Sequence, residues 1–408
     1  MSSPISPSRK LGLAIAIGLL CGTAAAEHPP SADEMWRIIQ EQQNQIAELK
    51  AKLTQTDQKV EATGAAVEQV SSNAASTSGA AASWAERTKI GGYGELHYNN
   101  LEGEGGASDK DEIDLHRVVL FFGHEFNERT RFFSEIEYEH ANTEANGVVE
   151  LEQAYIDFDL TDTQHARAGM FLLPVGIMNE THEPPTFYGV ERNPVEKNIV
   201  PVTWSAGGAS LFGELGRGFS YDLAAHEGLN TSAANDYLVR EGRQSTSEAD
   251  ASNLAYTARL KWTGMPGVEL AASLNRQTDL TQGADSSAGS ANLFETHGIF
   301  SRGPFTLKAL YAQWDLDGSG PAAIGADEQS GWYVEPSYKL NDQWGVFTRY
   351  NLWDNAAGDS TGSEKKQWDV GMNFWPHPDV VVKADYQQQD NDSGANQDGF
   401  NLGVGYQF

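Results

Sequence analysis

From residue 88 onward the chain alternates. In residues 399–408, Phe400, Leu402, Val404, Tyr406 and Phe408 fall on one side of an extended backbone, and Asn401, Gly403, Gly405 and Gln407 on the other. A strand with one oily face and one wet face requires this period of two. The pattern recurs upstream. Trp332, Val334, Pro336, Tyr338 and Leu340 oppose Tyr333, Glu335, Ser337 and Lys339, while Val380, Val382, Ala384 and Tyr386 oppose Lys383, Asp385 and Gln387. The alternation predicts sixteen strands, at 89–99, 112–126, 130–141, 148–160, 164–173, 205–215, 217–226, 252–263, 266–277, 291–302, 304–314, 331–341, 343–353, 364–375, 379–389 and 398–408. Connections alternate between short turns (127–129, 161–163, 264–266, 376–378) and long polar stretches such as 228–252 and 278–290. Short turns opposite long loops, with an even strand count, describe a membrane-spanning antiparallel barrel whose termini share the periplasmic side.

Outward aromatics recur six residues apart, as in Trp332/Tyr338, Trp344/Tyr350 and Trp368/Phe374, and predict two interfacial belts. One strand departs from the rule. The run after Asp114, DLHRVVLFF, is apolar on both faces with His116 and Arg117 inserted. A neighbouring subunit, an infolded loop or a shifted register would each produce that reading.

The N-terminal part is written differently. Arg9 and Lys10 precede the apolar run 11–20, and Ala24, Ala25 and Ala26 precede Glu27, which predicts a signal peptide over 1–26. Residues 27–70 hold a heptad seam with aliphatic a positions, Ile39, Ile46, Leu53, Val60 and Val67, and polar Gln42, Thr56 and Thr63 among the d positions. That spacing predicts a periplasmic coiled coil, with an Ala/Ser/Gly/Thr-rich linker at 71–87 and the barrel at 88–408. The fold class is therefore all-β, a 16-stranded antiparallel transmembrane barrel preceded by a coiled-coil helix.

Composition narrows function. The formal charge of -29 argues against a nucleic-acid partner. Cys21 is the one cysteine and falls inside the expected signal peptide, so disulfides and thiolate metal sites are not expected. No Ser-His-acid set can be nominated from spacing to support an enzyme. His182 and Glu183 are adjacent rather than at ligand spacing, so neither a metal nor another cofactor is expected.

Residues 174–204 form the longest ordered-looking connection, with five prolines and aromatic anchors, and suit a rigid loop that folds into the lumen. Several motifs around it are informative: Ala154-Tyr155-Ile156 with Phe158, Arg167-Ala168-Gly169-Met170-Phe171, Pro174-Val175-Gly176 and Glu191-Arg192. Together they resemble the phosphate-selective porin O and P superfamily over most of the chain after Thr88. The resemblance implies a sixteen-stranded trimeric porin whose third external loop forms the constriction, and members often carry an N-terminal coiled coil. The terminal Phe408 after alternating aromatics likewise resembles the C-terminal signal read by the barrel-assembly machinery.

The phosphate ladder of that family is not evident. Inward positions carry Arg167, Arg259, Lys261, Lys308, Lys339, Arg349, Lys365 and Lys383. They also carry Glu95, Glu135, Glu137, Glu139, Asp222, Glu269, Glu295, Glu335, Asp369 and Asp385. Within the loop, Glu180, Glu183, Glu191 and Glu196 outnumber Arg192 and Lys197, with His182 between them. The expectation is an outer-membrane diffusion channel for small polar solutes and ions, with a weak cation bias or little selectivity. Its partners would be outer-membrane lipid and two further copies of the chain. Alternatives are an anion- or siderophore-passing porin of the same family, or a barrel anchor whose coiled coil tethers the membrane to peptidoglycan.

Overall fold

The computed structural model describes residues 84–142 and 146–408. The expected signal peptide, coiled coil and nearly all of the linker lie outside these described residues. The rest is one sheet closed on itself. Sixteen antiparallel strands run in sequence order, and β1 (Thr88–Glu104) pairs with β16 (Asn396–Gln407) to seal the barrel. At the seam Tyr93 lies opposite Gln407, and the Phe408 amide donates to the Gly92 carbonyl at 2.9 Å. Closure satisfies every edge, which is what a sheet surrounded by lipid needs.

All sixteen expected strands are present, most within two or three residues of their expected ends. Two turn readings need correction. β8 (Ala255–Met265) runs through Gly264 and Met265, and β14 (Lys365–His377) runs through Pro376, so the turns there are shorter than expected. Both places carry a register shift before the turn, which lengthens one strand of the hairpin.

The alternation sorts side chains as the period requires. Outer positions such as Leu211, Leu223, Leu260, Leu270, Val382, Phe400, Leu402 and Val404 are exposed, while Asn275, Asn351, Asn373 and Asn401 are buried inside. Trp344 stacks on Phe374 at 4.5 Å and Tyr350 meets Trp368 at 4.8 Å, so aromatics on β13 (Trp344–Asp354) and β14 form rows across strands. Among the described residues no helix is long and apolar enough to cross a membrane.

The irregular second strand has a local cause. On β2 (Lys110–Asn127), Arg117 pairs with Glu95 while Leu115 pairs with Leu96, so His116 is the extra residue of a bulge. Beyond it, Phe121 turns inward against Tyr93 and Phe133. Tyr93 in turn meets His182 of the inner loop. An infolded loop thus accounts for an apolar inner face.

That loop, 173–204, joins β5 (Gln164–Leu172) to β6 (Ser205–Gly216) and crosses the inner wall. The indole of Trp314 donates to the Ile199 carbonyl, Asn373 to that of Phe187 and Trp375 to that of Pro185. The Val190 amide donates to Asp385 at 2.6 Å. Phe171, Leu173, Val175, Val195, Ile199 and Trp204 pack with Trp314, Tyr333 and Trp353 into an apolar core inside the lumen. Each such side chain contributes about 1.5–3 kcal/mol when fully buried, so the loop is held by packing as well as by hydrogen bonds.

Candidate functional site

A short helix, α1 (Pro194–Asn198), sits at the centre of the inner loop. Asn193 caps it by accepting from the Glu196 amide at 2.8 Å, and Pro194 follows at the first helical position. Glu196 then turns into the loop rather than the pore. Its carboxylate accepts from the amides of Ile177 and Met178 at 2.8 and 2.7 Å and from the Tyr333 hydroxyl at 2.7 Å. Burial pushes its pKa up, and the bonds from Met178, Tyr333 and Asn193 pull against that. Gly176, at φ +77, makes room for this carboxylate, because a Cβ there would lie 2.6 Å from its Oε2.

Packed on the far wall, the loop leaves an opening against β1, β2 and β3 (Thr130–Glu139). A cavity of about 220 Å³ there is lined by Glu95, His97, Arg117, Glu139, Glu191 and Arg192, among others. A second, of about 240 Å³, shares Glu191, Arg192 and Lys197 and extends toward Lys110, Gln389 and Gln397 at the end of the barrel with the long connections.

The two sides of this opening differ in charge. The barrel wall contributes Glu95 and Glu139, partly answered by Arg117, which donates to the buried Glu137 at 2.7 Å and lies 2.8 Å from Glu95. Asp114 Oδ2 contacts His116 at 3.0 Å and His140 at 2.8 Å. The loop side is basic. Arg192 lines both cavities, and Lys197 is exposed to the lumen. Arg240 and Arg243 join them from the connection between β7 (Phe219–His226) and β8. Arg240 donates to the carbonyls of Lys197 and Val202, and Arg243 donates to that of Thr203 at 2.7 Å. Burial lowers the Arg240 pKa, and the charges of Arg243 and Arg192 add to that. A guanidinium nevertheless stays charged.

Glu191 bridges the two sides. Its Oε1 lies 3.2 Å from His97 Nδ1 and accepts from Asn99 at 3.0 Å. Burial raises its pKa, but the hydrogen bond and charge of His97 outweigh this and hold it well below the carboxylate range.

The remaining expected site residues fall in two other places. Arg167 pairs with Asp157 at 2.7 Å, Arg259 pairs with Asp222 and Glu180, and Lys261 lies half-buried nearby on β8. Arg349 is buried between Glu335 at 3.0 Å and Asp369 at 3.1 Å, and Lys383 sits 3.4 Å from the centre of the Phe187 ring. These groups brace the wall or hold the loop. Glu183 is half-exposed near the start of the loop. His182 is buried, 3.7 Å from Glu152 and 3.9 Å from Glu135. Burial opposes its charged form, yet the two carboxylates raise its pKa to about 9. The acidic excess expected from the loop therefore does not face water as a set, since Glu196 is enclosed and Glu180 is ion-paired. Sequence reasoning missed Arg240, Arg243 and His140, which come from other connections and approach only through the fold.

The family is decided by a match over residues 89–408 to phosphate-selective porin O and P. The chain belongs to that porin family. An uncharacterized protein of Aquifex aeolicus is 31% identical over 364 residues, covering 78% of this chain and 79% of that one. Among solved structures, the porin's barrel resembles an anion-selective porin from Comamonas acidovorans (TM-score 0.58, 12% identity, 79% of this chain and 99% of that chain). It also resembles the outer membrane channel DcaP of Acinetobacter baumannii (TM-score 0.56, 15% identity, 79% and 97%). OmpF of Salmonella typhi, in complex with daunomycin, gives a TM-score of 0.54 at 16% identity, again over 79% and 97%. Family and fold both point to an outer-membrane channel rather than an enzyme.

Proposed function

We propose that this porin is a passive diffusion channel for small polar solutes with little ionic preference, and that residues 173–204 form its constriction. One observation carries the reading: the acidic wall of β1–β3 stands opposite the basic group Arg192, Lys197 and Arg240 across a cavity of about 220 Å³. Charges of opposite sign on facing sides set a field across the pore rather than along it. Such a field orients dipolar solutes and offers each ion sign a favourable side, whereas a ring of one sign would exclude the other. Swelling of proteoliposomes tests it. Small zwitterions and neutral sugars of similar size should enter at comparable or higher rates than singly charged anions and cations. Entry of phosphate alone would contradict the proposal.

The same proposal includes a homotrimer, a periplasmic coiled coil at 27–70 and assembly through Phe408. Native mass measurement tests the trimer, and deletion of Phe408 should reduce the heat-modifiable barrel recovered from outer membranes.

A further inference from the structure

The inner loop meets the wall of β3 and β4 (Val148–Asp159) at three buried groups, Glu135, Glu152 and His182, which are 2%, 3% and 3% exposed. Their polar atoms are short of partners. Both oxygens of Glu152, Oε1 of Glu135 and Nε2 of His182 have no hydrogen-bond partner. Leaving such atoms unpaired in a protein interior costs about 1–3 kcal/mol each, and more for charged groups. Something else is needed to satisfy them.

The local structure is built to aim them at one point. Glu135 pairs with Gln153 while Ile136 pairs with Leu151, so Glu152 is the extra residue of a bulge. A regular strand would send either Glu152 or Gln153 to the lipid, and the bulge turns both inward. Gln153 donates to Glu135 Oε2 at 2.7 Å, which leaves Oε1 free. On His182, Nδ1 donates to the Asn179 carbonyl at 3.2 Å, which leaves Nε2 with its lone pair in the neutral ring. Outer bonds of this kind fix the tautomer and orientation of metal-binding imidazoles and carboxylates.

Spacing helps choose the occupant. Nε2 lies 3.9 Å from Glu135 Oε1 and 3.7 Å from Glu152 Oε2, and the candidate ligand atoms all lie within 4.8 Å of one another. These gaps are too long for a hydrogen bond from an imidazolium. Two ligands bound to one Zn²⁺ at about 2.0–2.2 Å sit roughly 3.3–3.6 Å apart, so closure on an ion shortens the two His182 gaps by a few tenths of an ångström and the carboxylate pair by about 1 Å at most. Two carboxylates balance a dication. The charge of Arg192, which acts on both Glu152 and His182, opposes binding without cancelling that balance. Imidazole with two carboxylates favours first-row ions such as Zn²⁺ over Ca²⁺ or Mg²⁺, which take oxygen ligands. The nearby Asp114, His116 and His140 offer a contrast. There both imidazoles already contact Asp114, at 3.0 and 2.8 Å, and the three side chains are partly open to solvent.

We propose that Glu135, Glu152 and His182 bind a first-row divalent cation that fastens the start of the constriction loop to β3 and β4. Tyr93, whose ring stands edge-on to His182 at 5.9 Å and whose buried hydroxyl is also unpartnered, completes the surroundings.

The test uses full-length protein folded in detergent, stripped with chelator and titrated calorimetrically with Zn²⁺, with Ca²⁺ and Mg²⁺ in parallel. One Zn²⁺ should bind per chain and raise the thermal unfolding midpoint, as any ligand specific for the folded state does. Loss of outer-shell partners costs 10–100-fold in affinity, so loss of a ligand in His182→Ala should cost roughly 100-fold or more. Glu152→Gln keeps the side-chain shape and should show the same loss, with heat-modifiability confirming its fold should His182→Ala fail to assemble. His140→Ala should leave Zn²⁺ affinity within about threefold. The proposal is overturned by absence of stoichiometric Zn²⁺ uptake, which would leave a proton on His182 as the occupant. It is equally overturned by uptake that survives both variants, by uptake lost in His140→Ala instead, or by Ca²⁺ binding as tightly as Zn²⁺.

Discussion

His97 on β1 and Glu191 on the inner loop face each other at 3.2 Å, and this contact ties the edge of the constriction to the barrel wall. Glu95 approaches the same imidazole from its other nitrogen at 3.1 Å. The Glu191 carboxyl is held well below its ordinary range, because the hydrogen bond and charge of His97 outweigh burial. A depressed carboxylate pKa contributes stability above the unfolded value of about 4.3 and loses it only as pH falls through the lower folded value. Its side chain keeps 33% of its surface open, so pore salt weakens the effect. Single-channel conductance should therefore stay level from pH 7 to 5, with added current noise only well below pH 4. A step between pH 7 and 5 that disappears in Glu191→Gln would count against this.

Arg349 should matter more for stability than for flow. It is 3% exposed and serves both Glu335 and Asp369. Removing one member of a buried ion group typically costs 3–5 kcal/mol, since the others are left unpaired. Arg349→Ala should lower unfolding stability by about that amount in urea titrations of the folded barrel. A loss under about 1 kcal/mol would show that water reaches the group.

Glu196 offers a test of how the loop is held. Its carboxylate receives the amides of Ile177 and Met178 and the hydroxyl of Tyr333. The amide nitrogen of a glutamine cannot accept from them, and each unpaired donor costs about 1–3 kcal/mol. Glu196→Gln should leave the barrel folded but expose the loop to limited proteolysis. Unchanged protease resistance would mean that apolar packing alone secures it.

The barrel was legible because lipid outside and water inside impose a period of two that little else disturbs. Leu402 and Asn401 declare their faces without any partner being known. The constriction was legible only as a place. Glu191, Arg192 and Lys197 do meet at the opening, yet Glu196, counted with them, folds back onto Met178. Two features defeated the pattern. Bulges at His116 and Glu152 turn consecutive side chains to one side, and no periodicity marks an inserted residue in advance. Arg240 and Arg243 reach the constriction from a separate connection, a juxtaposition that depends on closure of the whole sheet.

The reversal potential across a tenfold KCl gradient tests the central claim most directly. A perfectly selective pore would give roughly 59 mV of one sign or the other. With an acidic wall opposite Arg192, Lys197 and Arg240, the porin should lie much closer to zero than to either limit. Replacing Arg192 and Lys197 with Gln should move it clearly toward cation preference. A wild-type potential near the anion limit, with chloride current blocked by phosphate, would contradict the account.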